Sequence, residues 1–129
     1  MNTRIYIVED DVFIADELTQ LIQSFGYEVV GQSTNEKEAV AEITKCQPNL
    51  VCLDINLGQE GNGFNVAKHL NELNIPFVFV SSYFDENTIS TARSFHPVSY
   101  IIKPFRDKDL KVALALAFYK MEEPKSVIH

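Results

Sequence analysis

The chain has 129 residues, 46% of them hydrophobic and 22% charged, which is the composition of a globular domain with a core of ordinary size and excludes a disordered or fibrous chain. No apolar run approaches the ~20 residues of a membrane span, and Met1-Asn2-Thr3-Arg4 leads into a strand pattern and not a signal peptide, so a cytoplasmic location without membrane contact is expected. A formal net charge of -7 repels phosphate backbones, which argues against nucleic-acid binding by this domain itself and in favour of a cation as partner.

Arg4 to Val8 reads as a first strand that runs into three acids, Glu9, Asp10 and Asp11. Val12 to Phe25 carries Ile14, Leu18, Leu21, Ile22 and Phe25 at helical spacing, with Gly26 where a left-handed C-terminal cap belongs. A short strand, Tyr27 to Val30, precedes a helix from Glu36 to Cys46, opened by Asn35 with Glu38 as a capping box and stopped before Pro48. The unbroken apolar run Leu50-Val51-Cys52-Leu53 predicts a strand buried on both faces, as in a parallel sheet, and it stops on Asp54. Cys46 and Cys52 lack metal-ligand spacing and read as small reduced hydrophobes. Past the loop Gly58 to Gly63, residues Phe64, Ala67, Leu70 and Leu73 mark a helix that ends before Pro76. The apolar strand Phe77 to Val80 ends in Ser81-Ser82. Asp85 caps a weaker helix through Phe95, and Val98 to Ile102 forms a fifth strand ending at Lys103-Pro104. Asp107 begins the last helix, to Met121, which predicts a domain over 1–121 and a tail or linker over 122–129.

Five strands alternating with five helices predict a doubly wound α/β sheet with right-handed crossovers. All strands then present their carboxyl ends on one side, so Glu9, Asp10, Asp54, Ser81 and Lys103 converge although they are distant in sequence. Crowded carboxylates resist ionisation unless a hard cation such as Mg²⁺ sits among them. An Asp beside such a metal can attack a phosphoryl group while the metal, an amine and a hydroxyl neutralise its oxygens, giving an aspartyl phosphate. Taken singly, Asp10 or Asp11 can be a helix cap, Ser81 a turn residue and Lys103 a solvated strand-end lysine.

The joint pattern Val8-Glu9-Asp10-Asp11, Leu53-Asp54-Ile55-Asn56-Leu57, Val80-Ser81-Ser82 and Tyr100-Ile101-Ile102-Lys103-Pro104-Phe105 resembles the receiver domain of two-component response regulators over nearly the whole chain. The resemblance implies a flavodoxin-like sheet of order 2-1-3-4-5. It implies that Asp54 accepts phosphate from a sensor histidine kinase or phosphotransfer protein. Glu9, Asp10, Asp54 and the Asn56 backbone carbonyl would hold Mg²⁺, with Mn²⁺ as a substitute. By the same resemblance Ser81 is the switch hydroxyl, Lys103 pairs with phosphate and precedes a cis bond to Pro104, and Tyr100 is the aromatic rotamer switch. Asn56 and Tyr83 occupy positions that tune dephosphorylation in the family.

Two features depart from the common family pattern: the loop Gly58 to Gly63 is one residue longer, and His96-Pro97 stands where Gly-Ala is frequent. Both touch loop geometry and leave open how the fourth helix ends. His69, His96 and His129 lie apart from the acids and read as surface residues. In the last helix Leu110, Ala113, Leu114, Ala117 and Met121 suffice to pack on the sheet, and a second stripe, Val112, Ala115, Leu116 and Tyr119, is left over. Such a stripe is expected to be covered, and the resemblance implies that the fourth helix, fifth strand and fifth helix form a surface switched by phosphorylation, which points to a homodimer there or to contact with a downstream effector domain. Two other classes compete. An Mg²⁺-dependent aspartyl-phosphate hydrolase usually has a second acid two residues after its nucleophile, where this chain has Asn56. A receiver-like interaction module that never carries phosphate tends to have lost part of the acid and lysine set, which is complete here.

Overall fold

The computed structural model describes residues 3–122. Its elements are β1 (Arg4–Val8), α1 (Val12–Ser24), β2 (Glu28–Ser33), α2 (Glu36–Cys46), β3 (Leu50–Leu53), a 3-10 turn (Gly58–Glu60), α3 (Gly63–Glu72), β4 (Phe77–Ser81), α4 (Glu86–Ser94), β5 (Ser99–Ile102) and α5 (Asp107–Glu122). The five strands are all parallel, in the order β2-β1-β3-β4-β5. Alternate residues along each strand therefore face opposite layers of helix, and two separate cores form. Tyr6, Val51, Leu53 and Phe79 pack under Ala39 and Ile43 of α2, Val66 and Leu70 of α3 and Ala92 of α4. Ile5, Ile7, Cys52 and Val80 pack under Leu18 and Ile22 of α1 and Leu110 and Leu114 of α5. Cys52 is fully buried and its thiol is pushed up to about 12, consistent with an unreactive hydrophobe.

Helix starts follow local chemistry. The Asp11, Asn35, Asn62 and Asp85 side chains accept from backbone N–H groups in the first turns of α1, α2, α3 and α4, satisfying donors that have no partner within the helix. Asp11 is thus a cap. The Asn35 half of the expected capping box is present, with the Glu38 N–H donating to Asn35 Oδ1 at 2.8 Å.

Several details differ from the sequence expectation. β2 runs over Glu28–Ser33 and not Tyr27 to Val30: the register shifts by one residue at Val30, which lies between the paired Val29 and Gly31, and Gly31, Gln32 and Ser33 continue pairing with Tyr6, Ile7 and Val8 of β1. α1 ends at Ser24, with Phe25 as its cap. β5 begins one residue late, although the Val98 N–H still reaches the Phe77 carbonyl. In α5, Phe118 joins the buried stripe by packing on Tyr27, with ring centroids 5.1 Å apart, while Ala113 and Met121 are only half-buried. The end of α4 is now defined: Phe95 caps it and His96 takes a left-handed φ of 58°, a place that favours glycine. Of the expected tail, 123–129 lies outside the described residues, His129 included. Among the described residues no helix is long and apolar enough to cross a membrane.

Candidate functional site

The residues that follow the strand ends are held by backbone bonds that extend the sheet ladder. The Glu9 N–H donates to the Ser33 carbonyl at 3.0 Å, the Asp54 N–H to the Val8 carbonyl at 2.9 Å and the Lys103 N–H to the Ser81 carbonyl at 2.8 Å. Side chains from β1, β3, β4 and β5 are thereby aimed into one crevice from a rigid edge. The Lys103–Pro104 peptide is cis.

Lys103 joins the acids. Its Nζ donates to Glu9 Oε1 at 2.8 Å and to Asp54 Oδ2 at 3.1 Å, and both carboxylates are nearly sealed from solvent, at 1% and 5% exposure. Burial pushes the Asp54 carboxyl above its ordinary range, against the pull of Lys103. Burial and then the neighbouring Glu9 do the same to Asp10, which is exposed. Burial alone would depress Lys103, but its bond to Glu9 and the charge of Asp54 outweigh that and hold it above the usual lysine range. Three carboxylates served by one amine leave unneutralised negative charge. One oxygen from each of Glu9, Asp10 and Asp54 lies within 4.8 Å of the others, an all-oxygen donor set that fits a hard divalent cation such as Mg²⁺.

The rim is built from the loops after β3 and β4. Asn56 donates its backbone N–H to Asp54 Oδ1 at 3.3 Å and its side-chain amide to the Tyr83 hydroxyl at 2.8 Å, so the two loops are tied together across the mouth. Ser81 is fully buried and its Oγ accepts from the Tyr83 N–H at 3.1 Å, the turn role open to it from sequence. Tyr100 is half-buried with its ring 5.9 Å from Phe79, and its hydroxyl donates to the Tyr83 carbonyl. The three strand-end acids, Ser81, Lys103, Asn56, Tyr83 and Tyr100 thus form one connected assembly.

A further requirement was hidden in the sequence. The Gly63 N–H donates to the Ile55 carbonyl at 2.7 Å, and a Cβ at Gly63 would fall on the Asp54 carbonyl oxygen and lie 2.7 Å from Ile55 Cα. Backbone cannot retreat there without moving Asp54. Gly63→Ala is therefore expected to cost about 2–3 kcal/mol in urea unfolding, and a variant as stable as wild type would show that α3 has room to shift.

Other candidates lie apart. His69 is half-buried between α2 and α3, with Nε2 3.1 Å from Thr44 Oγ1, and His96 is exposed at the end of α4. Val112, Leu116 and Tyr119 lie on the outer side of α5, away from the acids, at 55%, 54% and 64% exposure.

Residues 5–115 match the family model described as the response regulator receiver domain. The chain is 29% identical over 121 residues to the transcriptional regulatory protein PdtaR of Mycobacterium tuberculosis, an alignment covering 93% of this chain and 58% of that one. It is 30% identical over 116 residues to the chemotaxis protein CheY of Thermotoga maritima, covering 88% of this chain and 96% of CheY. Among solved structures it resembles the signal receiver domain of a modulated diguanylate cyclase from Desulfovibrio desulfuricans G20, with a TM-score of 0.85, 30% identity and coverage of 95% of this chain and 100% of that one. The chain spans about half the length of several curated relatives it matches.

Proposed function

Because the chain belongs to the response regulator receiver domain family, we propose that it is a cytoplasmic phospho-acceptor in which Asp54 takes a phosphoryl group from a histidine kinase or phosphotransfer protein. The observation that carries this reading is the shared hold of Lys103 on Asp54 and Glu9 beside a carboxylate cluster compact enough for one cation. Glu9, Asp10, Asp54 and the Asn56 carbonyl would hold Mg²⁺, or Mn²⁺ in its place, and the metal would supply charge neutralisation for the transferring oxygens. An Asp54 oxygen forms the P–O bond as the donor P–N bond breaks, with the imidazole nitrogen leaving with the electron pair. Lys103 turns from Asp54 toward a phosphoryl oxygen, Ser81 donates to another, and water remains outside the Asn56–Tyr83 bridge. The domain is a regulator and acts only on its own acyl phosphate. The test is incubation with acetyl phosphate and Mg²⁺ followed by intact-mass measurement: a gain of one phosphoryl group that chelator prevents supports the proposal, and an unchanged mass with metal present rejects it.

Donor recognition is assigned to the surface around α1. A cavity of about 640 Å³ lies between Ile14, Leu18 and Leu21 of α1 and the Lys103-Pro104-Phe105 segment. Phe13, 82% exposed, stands on the same helix. These apolar groups beside the acids suit a helical partner presenting a phosphohistidine.

The lifetime of the acyl phosphate is assigned to Tyr83. Its hydroxyl accepts from the Asn56 amide, so the ring and the amide together obstruct the approach of water to Asp54. Autodephosphorylation is expected to be slow, and Tyr83→Ala or Tyr83→Glu to accelerate it on the order of tenfold, or ~1.4 kcal/mol of barrier. Equal decay rates in wild type and both variants reject the shield.

The output surface is assigned to α4, β5 and α5, moved when phosphate draws Ser81 and Tyr100 inward. Val112, Leu116 and Tyr119 on α5 and Ile102 on β5, 45% exposed, give this face uncovered apolar area. Full burial of Val112 and Leu116 contributes ~1.5–3 kcal/mol each, less the cost of ordering on association. A phosphorylation-dependent homodimer is proposed there, with a downstream effector domain as the other occupant. Sedimentation should show beryllofluoride shifting wild type but not Leu116→Asp to dimer, and a wild type monomeric in both states defeats the dimer.

A further inference from the structure

The loop after β3 carries Asn56, whose side chain is tied to Tyr83 and to the Gly58 N–H, which donates to Asn56 Oδ1 at 2.8 Å, while the backbone on the far side of Asn56 is braced by the closing half of the loop. Asn56 pairs with Asn62 in an isolated antiparallel bridge, and Asn62 in turn caps α3 through its Oδ1, which accepts from the Phe64 N–H at 2.7 Å. The position of Asn62 is held from outside the loop. Its N–H donates to Glu36 Oε1 at 2.9 Å, and the Asn65 side-chain amide donates to the same oxygen at 3.3 Å. Glu36 is the first residue of α2, on a different crossover, and lies against the backbone of Gly61 so closely that a Cβ there would be 2.7 Å from Glu36 Oε1. One carboxylate oxygen thus gathers a backbone donor from the end of the loop and a side-chain donor from the first turn of α3, with charge-assisted bonds of above-average strength.

We propose that Glu36 is a positioning residue for the phosphoryl-acceptor site, acting through Asn62 to hold Asn56 where its backbone carbonyl serves the cation. The inference rests on the phospho-acceptor reading above. Without Glu36 the Asn62 N–H turns to water, the bridge to Asn56 loosens and the Asn56 carbonyl samples orientations that do not face the acids. Groups that orient metal ligands at one remove typically alter affinity 10- to 100-fold, and Glu36 stands one link further out, so a change of roughly 3- to 10-fold is expected.

The experiment is an Mg²⁺ titration of the whole chain, followed by backbone amide NMR shifts at Asn56 and Asn62 and by melting temperature. Glu36→Ala is expected to weaken Mg²⁺ binding by the stated factor. Glu36→Gln, which keeps an acceptor oxygen without the charge, should stay within about twofold of wild type. Glu38→Ala removes the same charge from an exposed position in the same turn and should leave the titration unchanged. Unaltered binding in Glu36→Ala, or equal weakening in Glu38→Ala, overturns the positioning role, the second outcome reducing it to long-range charge. A wild type that binds no Mg²⁺ overturns the phospho-acceptor reading and this inference together, whereas a wild type that binds with Glu36→Ala unchanged overturns this inference alone.

Discussion

Asp54→Asn is expected to abolish labelling by acetyl phosphate and Mg²⁺, a loss on the order of 10³-fold or more as for other nucleophile deletions. The carboxamide keeps the shape of the side chain but has neither the negative charge nor the lone-pair basicity needed to form the acyl phosphate. Burial already disfavours the Asp54 charge, so a neutral isostere at 5% exposure removes a cost instead of adding one. Lys103 retains its 2.8 Å bond to Glu9 in the variant. The melting temperature should therefore equal or exceed that of wild type in the absence of metal, which separates lost chemistry from lost folding. Labelling at the wild-type rate would place the nucleophile elsewhere.

Lys103→Met is expected to lower stability by about 3 kcal/mol at neutral pH, the usual cost of stripping one partner from a buried ion group, and to slow labelling by 10²–10³-fold as other deleted charge stabilisers do. Methionine fills the same volume, but Glu9 and Asp54 are left buried and facing one another with no cation. The sign of the pH dependence follows from Asp54. Its folded-state value is raised above 3.8, so the protonated form is stabilised by folding, and that contribution is complete in acid and is lost as pH rises through the raised value. Removing Lys103 raises it further. The deficit of Lys103→Met should therefore be small in urea unfolding at acid pH, grow toward neutrality and shrink again when saturating Mg²⁺ replaces the missing positive charge. A deficit that is independent of pH and of Mg²⁺ would mean that Lys103 stabilises by packing alone.

The sequence by itself determined the architecture and the composition of the site. Strands of a parallel sheet are buried on both faces, so Leu50–Leu53 and Phe77–Val80 stand out as apolar runs, and whatever ends such a run must lie at the sheet edge. That is why Glu9, Asp54, Ser81 and Lys103 were legible with no structure at all, and why the outer stripe Val112, Leu116 and Tyr119 was recognised as lacking cover. β2 is only half legible, because its second half lacks an apolar run and becomes strand through pairing with β1 after a one-residue register shift at Val30. Phe118 follows Leu114 at helical spacing but stands at the edge of the stripe, where its burial is completed by Tyr27, 91 positions earlier. Only the tertiary structure decided which groups pair. Lys103 choosing Glu9 as well as Asp54, Asn56 reaching Tyr83 and Glu36 reaching Asn62 are contacts between residues separated by 94, 27 and 26 positions. Side-chain chemistry lists the possible partners, but distance between elements selects among them, and that distance exists only once the sheet has brought its edges together.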